Sequence, residues 1–291
     1  MHPNVVLPFV SSLLSFIFAV LVFDQWLHRH RMHQLVWTVG LLFYGISAGT
    51  EFLGGAFGWN LVLYQWWYLI GAIGVAAYLG LGTVYLLSRT GFAWFAAAIL
   101  ASSGLIAFVA GAPPLGVGIL VGAVLVALVR RSRPDWFAHA FALVLLLATA
   151  YAAYAVFSAP VDPASLPDSA SVIPTGKFFP KDVRAITPVF NVTGTAALAL
   201  GAAYSAYYFW RTRTMRHRLI SNVLITVGAI IPAFTGSLSR FGSTSLFFLG
   251  ELLGVLIIFV GFLISTEVFA TFRLPGLGTV QRAKEASEQG N

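Results

Sequence analysis

Between Leu53 and Ser88 the chain reads LGGAFGWNLVLYQWWYLIGAIGVAAYLGLGTVYLLS, without one charged side chain. A helix rises about 1.5 Å per residue, so roughly 20 apolar residues cross the hydrocarbon core of a bilayer. Two more uncharged runs follow the same logic, Val5 to Phe23 and Thr90 to Val129, and the run from Leu246 to Thr266 contains only Glu251. Lipid offers the backbone no hydrogen-bond partner, so runs of this length are helices. The expected fold class is therefore all-α, a polytopic transmembrane helical bundle.

Composition agrees. The 291 residues are 58% hydrophobic and 9% charged, with a mean hydropathy of +0.85, against about 25% charged residues in a soluble domain. Residues 1–272 read as a single membrane domain, leaving no room for a separate soluble enzyme. The polar residues 273–291 read as a cytoplasmic, disordered tail. The absence of cysteine excludes disulfides, thiolate nucleophiles and thiolate metal sites.

Nine spans are predicted at 5–24, 34–53, 62–87, 91–111, 114–130, 135–157, 186–210, 218–236 and 244–270, with seven as the lower bound. The fourth and fifth form a tight hairpin around Gly111-Ala112-Pro113-Pro114 that also fits a re-entrant or tilted pair. The formal charge of +7 belongs to topology rather than to nucleic acid. Lys and Arg mark cytoplasmic loops. With the N-terminus outside and the C-terminus cytoplasmic, thirteen of the 17 basic residues fall inside. Lys177, Lys181, Arg184 and Arg240 fall outside. The cluster from Arg211 to Arg218 fits anionic lipid headgroups. Trp26, Trp37, Trp59, Trp66, Trp67, Trp94, Trp136 and Trp210 lie near span ends, as an aromatic belt requires. The outer loop 158–185, rich in proline, reads as a flexible connection or as a lid over an outward-facing cavity.

Polar groups inside the membrane are costly and mark bundle interiors or wet cavities. Glu251 lies about two turns, or roughly 10 Å, into the last span. It heads a stripe of Glu251, Gly254, Ile258, Gly261 and Ser265. Glu51 sits near the outer end of the second span, on a face with Tyr44 and Ser47. Arg240 precedes the last span within reach of either carboxylate, and Asn191 and Thr195 lie at the outer end of the seventh. Tyr64, Tyr68, Gly71, Val75, Tyr78, Gly82 and Tyr85 follow a spacing that puts them on one side of the third span. Two readings stand. In one, these groups pair to hold helices together. In the other, Glu51, Glu251, Arg240, Asn191, Tyr64 and Tyr68 bind a ligand in an outward-opening pocket in the outer third of the membrane.

No catalytic motif survives inspection. Gly45-Ile46-Ser47-Ala48-Gly49 matches the nucleophile-elbow pattern, which needs a strand–turn–helix context and a nearby base. Here it lies inside an apolar helix, and the one intramembrane histidine, His139, is at the opposite end of its span. His28, His30 and His33 crowd a basic turn with Asp24 as their nearby carboxylate, a weak metal set. The sequence calls for no metal and no cofactor.

The region Trp37-Thr38-Val39-Gly40, Tyr64, Tyr68-Leu69-Ile70-Gly71 and Tyr78 to Leu87 resembles a group of uncharacterised bacterial polytopic membrane proteins with a similar pattern in their second and third spans. In general character the chain also resembles the multi-span sensor modules that precede some bacterial histidine kinases, without the kinase. Neither resemblance carries catalytic residues. The expectation is a non-enzymatic protein of a bacterial cytoplasmic membrane that binds, senses or transports a small or lipid-like ligand. An intramembrane enzyme acting on a lipid or isoprenoid, and a structural subunit of a larger membrane complex, are the alternatives. Small-residue pairs such as Gly45/Gly49, Gly118/Gly122 and Gly250/Gly254 motivate the last. The expected partners are membrane lipids, the ligand and further membrane subunits, not nucleic acid.

Overall fold

The computed structural model describes residues 3–167, 175–238, 244–264, 273–274 and 278–279. Among them, nine helices are long and apolar enough to cross a membrane. They are α1 (Pro3–Arg29), α2 (Met32–Phe57), α3 (Leu61–Leu87), α4 (Phe92–Ala110), α5 (Pro113–Ser132), α6 (Phe137–Ser158), α7 (Lys181–Thr212), α8 (Arg216–Leu238) and α9 (Thr244–Ile264). Each predicted span coincides with one helix, and the fold is the all-α polytopic bundle. Most helices outrun their apolar windows, because polar and charged end residues extend the helix beyond the apolar core. The last span is predicted to 270, and its residues from 265 onward lie outside the described helix. The tail lies there too, apart from a short antiparallel pairing of Arg273–Leu274 with Gly278–Thr279.

The hairpin between α4 and α5 resolves into two full helices of 19 and 20 residues. Gly111 closes α4 in the left-handed region at φ +96, and Pro113 and Pro114 occupy the first turn of α5. These are the residues that a helix stop and a helix start favour. At the next connection Asn60 caps α3 by accepting a hydrogen bond from the Leu63 amide at 2.9 Å.

Helices α3 and α7 form the centre. α3 packs against α2, α6 and α7, and α7 packs against α3, α4 and α8. α5 joins α4 and α6 on one flank, while α1, α2, α8 and α9 form the other. α3 and α7 meet at backbone contact: a Cβ on Gly194 would lie 2.2 Å from the Ala76 carbonyl carbon, and one on Gly80 would lie 2.5 Å from the Gly194 oxygen. Small residues at such crossings let backbones approach closely.

The third span is not one regular helix. Residues Tyr68–Gly74 form a π-helical segment inside it. Each π turn takes an extra residue, so the side chains beyond it are rotated relative to an α-helix. The single stripe expected along α3 is therefore divided. Tyr64 and Tyr68 meet Phe179 of the 159–180 connection. Gly71 receives the Ser47 side chain and Gly82 the Trp37 ring, both from α2. Tyr78 and Tyr85 turn to α6, where they hydrogen-bond Thr149 and His139.

Three tryptophans expected in an interfacial belt are built into the bundle instead. Trp59 and Trp67 are buried, and the half-buried Trp37 donates to the Leu79 carbonyl at 3.1 Å. Trp66, Trp94, Trp136 and Trp210 are exposed, as a belt requires. The small-residue pairs are mostly consumed internally. Gly45 and Gly49 face Phe16 and Ser12, Gly122 faces Val144, and Gly250 and Gly254 face Thr235 and Pro232; only Gly118 looks into open space.

The connections 30–31, 88–91, 133–136 and 213–215 share one end, the arginine end, where Arg89 pairs with Asp135 at 2.9 Å and Arg130 donates to the Thr90 carbonyl. The connections 58–60 and 159–180 share the other, the loop end. Parts of the long connection are firmly packed: Val161, Leu166 and Phe179 are buried in the core.

Candidate functional site

The two membrane carboxyls come together at the loop end. Glu51 lies near the last turn of α2 and Glu251 two turns into α9, and their side chains are close enough to interact. Glu51 is 2% exposed, and Glu251 is half-buried. The Trp67 indole donates to Glu51 Oε1 at 2.8 Å, while Glu51 Oε2 has no donor among the described residues. Tyr44 ties the two helices by donating its hydroxyl to the Glu251 backbone carbonyl at 2.8 Å. No ion pair between either carboxyl and a basic side chain occurs among the described residues. Arg240, expected beside them, lies outside the described residues.

The helices place these groups for local reasons. On α2, Tyr44, Ser47, Ala48 and Glu51 recur at three- and four-residue spacing, so one face carries all four. The π segment of α3 begins directly after Trp67. There Gly71 lacks the Cβ that would collide with Ser47, which lets α2 and α3 approach closely. On α9, Gly250 and Gly254 flank Glu251 and seat the helix against Thr235 and Pro232 of α8.

Trp67 also links the carboxyls to the two candidate tyrosines. Its ring stacks on Tyr64, with centroids 5.8 Å apart and planes 23° from parallel, and Trp59 meets it edge-on. Tyr64 in turn donates to the Thr175 carbonyl at 2.9 Å and stacks on Phe179 at 4.8 Å. Tyr68 accepts from Thr187 of α7 at 2.7 Å. Tyr64 and Tyr68 are thus covered by residues 175–179, in the place where the sequence suggested an opening. Asn191 sits one turn beyond Thr187 on α7, half-buried. Of the six candidate residues, the structure joins Glu51 to Glu251 directly and Tyr64 and Tyr68 to them through Trp67.

An opening does exist, but it faces sideways. A groove of about 770 Å³ between α2 and α3 is lined by Ile46, Thr50, Asn60, Val62, Trp66 and Ile70, among others. Val62 and Trp66 are 63% and 46% exposed on the apolar belt of the bundle. Thr50 and Trp66 directly precede Glu51 and Trp67 in the chain, and successive helix residues point about 100° apart, so groove and carboxyl pair lie on adjacent faces of the same two helices.

Sequence reasoning missed Trp67, placed in the belt because it lies near a span end, and missed the serines of α1. Asn4, Ser11, Ser12 and Ser15 are all buried, and their helical spacing was a readable signal. Among the described residues no group of three or more His, Cys, Asp or Glu could hold a metal ion. Compared with family models, curated proteins and solved structures, the chain matches none.

Proposed function

We propose that the protein is a multi-pass membrane protein of a bacterial cytoplasmic membrane that binds a small or lipid-like ligand at its loop end and senses or moves it. The observation that carries this reading is the groove between α2 and α3, whose lining residues Thr50 and Trp66 are chain neighbours of Glu51 and Trp67. Its volume lies within the roughly 300–1,000 Å³ of small-molecule sites, and its apolar walls with Asn60 and Thr50 suit an amphiphile. An occupant would press on Thr50 and Trp66, and so on the Trp67–Glu51 hydrogen bond beside them. That gives binding in the groove a mechanical route to the contact between α2 and α9.

Native mass spectrometry of the full chain, released gently from membranes, tests this. One lipid-sized mass per chain is expected on the wild type. It should be lost in Val62→Trp, which fills the groove, and kept in Leu143→Trp, a lipid-exposed control on α6. A wild type with no bound mass, or a mass that Val62→Trp leaves in place, would overturn the reading.

A further inference from the structure

The Glu51–Glu251 contact lies on a polar file that crosses about half the membrane and then stops. At the loop end Ser245 donates to Asn4 Oδ1 at 3.1 Å. Helices α1 and α9 run parallel in constant register from there, with Phe18 beside Phe259 further along. This register sets Ser11 level with Leu252, next to Glu251. From α2, the Gly45 carbonyl accepts from Ser12 at 2.8 Å. Asn4 to Ser15 spans about 16 Å of helix, against a hydrocarbon core of about 30 Å. Beyond Ser15 the same interface is apolar. Phe18 packs on Phe259 and Phe262 at 5.1 and 4.9 Å, with Val22, Leu41 and Val255 buried around them.

Two oxygens along this file are buried and lack partners, Glu51 Oε2 and Ser11 Oγ. An ionised carboxylate only accepts hydrogen bonds, so two neighbouring carboxyls can bond only when one carries a proton. Two ionised carboxylates in contact and away from water are mutually repelled. No cation offsets that charge among the described residues. On α2 and α3 the titratable neighbours are Tyr44 and Tyr64. On α1 the titratable groups Asp24 and His28 lie at the arginine end, and the described residues of α8 at this level include none.

We propose that Glu51 and Glu251 form a proton-binding site, holding a shared proton that is loaded from the loop end along the α1/α2/α9 polar file. The half-buried Glu251 faces the file, and Glu51, fixed by Trp67, is the inner partner. The bound proton closes α9 onto α2, and its departure leaves two facing carboxylates that drive those helices apart. Ligand binding in the groove would then be linked to protonation. This linkage rests on the proposed function, whereas the proton site itself does not.

Infrared spectroscopy on the full chain in a detergent without ester or acid carbonyls tests the site. The wild type at neutral pH should show the carbonyl stretch of a protonated carboxyl, and Glu51→Gln combined with Glu251→Gln should lose it. The other described carboxyls, Asp24, Asp135, Asp162 and Asp182, are not buried, so the signal has no competing source among them. A wild type without that band overturns the proposal with no variant needed. An unchanged band in a folded double variant overturns it as well. A missing band alongside a lipid mass in the native spectrum would reject the proton site and leave the groove reading standing.

Discussion

At the residue scale, the arrangement depends on Trp67. Its indole N–H is the one donor to Glu51 among the described residues, and its ring is the surface on which Tyr64 stacks. Replacing it with phenylalanine keeps most of the ring and removes the donor. A lost hydrogen bond to a buried polar group costs about 1–3 kcal/mol. Trp67→Phe should therefore lower the midpoint of SDS denaturation. Trp66→Phe, next in the chain but exposed, should stay within about 0.5 kcal/mol of wild type. Equal effects at the two positions would show that the bond to Glu51 contributes nothing. Glu51 and Glu251 were legible as candidates because a charge inside an apolar run has few explanations. That they meet was not legible, since 200 residues of chain separate them. Trp67 was misread because an interfacial and a buried tryptophan look alike in sequence; the difference lies in which face of α3 the ring occupies.

At the element scale, α3 carries the most unusual local structure. The apolar run fixed its existence and ends, but the same run hid its π segment, since hydropathy is insensitive to how many residues fill a turn. The small residues Gly71, Gly74, Gly80 and Gly82 were visible, and each meets a different neighbour: Ser47, Phe43, Gly194 and Trp37. Which neighbour each one meets depends on helix pairing, and periodicity within one helix holds no information about that. The closest crossing gives a direct test. A methyl at Gly194 would lie 2.2 Å from backbone of α3 that has nowhere to retreat. Overpacking of this kind costs about 1–3 kcal/mol, so Gly194→Ala should lower the denaturation midpoint. Gly118→Ala adds the same methyl into open space. There the better helix propensity of alanine, up to about 1 kcal/mol in water, leaves the midpoint unchanged or raised. A Gly194→Ala protein as stable as wild type would mean that α3 and α7 do not meet at their backbones.

At the scale of the whole molecule, charge and the nine apolar helices among the described residues give an expectation for orientation. Nine traverses by these helices would put the residues before α1 and those after α9 on opposite sides of a bilayer. Thirteen of the 17 basic residues belong to the arginine end or to the chain after α9, and Lys177, Lys181, Arg184 and Arg240 to the other. Lys and Arg are enriched in cytoplasmic loops near span ends, so the expected arrangement has the loop end, the groove mouth and the polar file facing outside. A reporter that fluoresces only in the cytoplasm should be bright when fused after Asn291. An enzyme reporter active only in the periplasm should work when inserted after Ala164. Both signals on one side would break the nine-traverse arrangement, and a clean reversal would turn the proton file toward the cytoplasm. Replacing Arg211, Arg213, Arg216 and Arg218 with glutamine still leaves nine basic residues against four. That variant should therefore keep its orientation, because the remaining arginines flank α1, α2, α3 and α5 and act on the earliest spans to insert. Inversion by those four changes alone would mean that the turn between α7 and α8, rather than the summed charge of the arginine end, sets the topology.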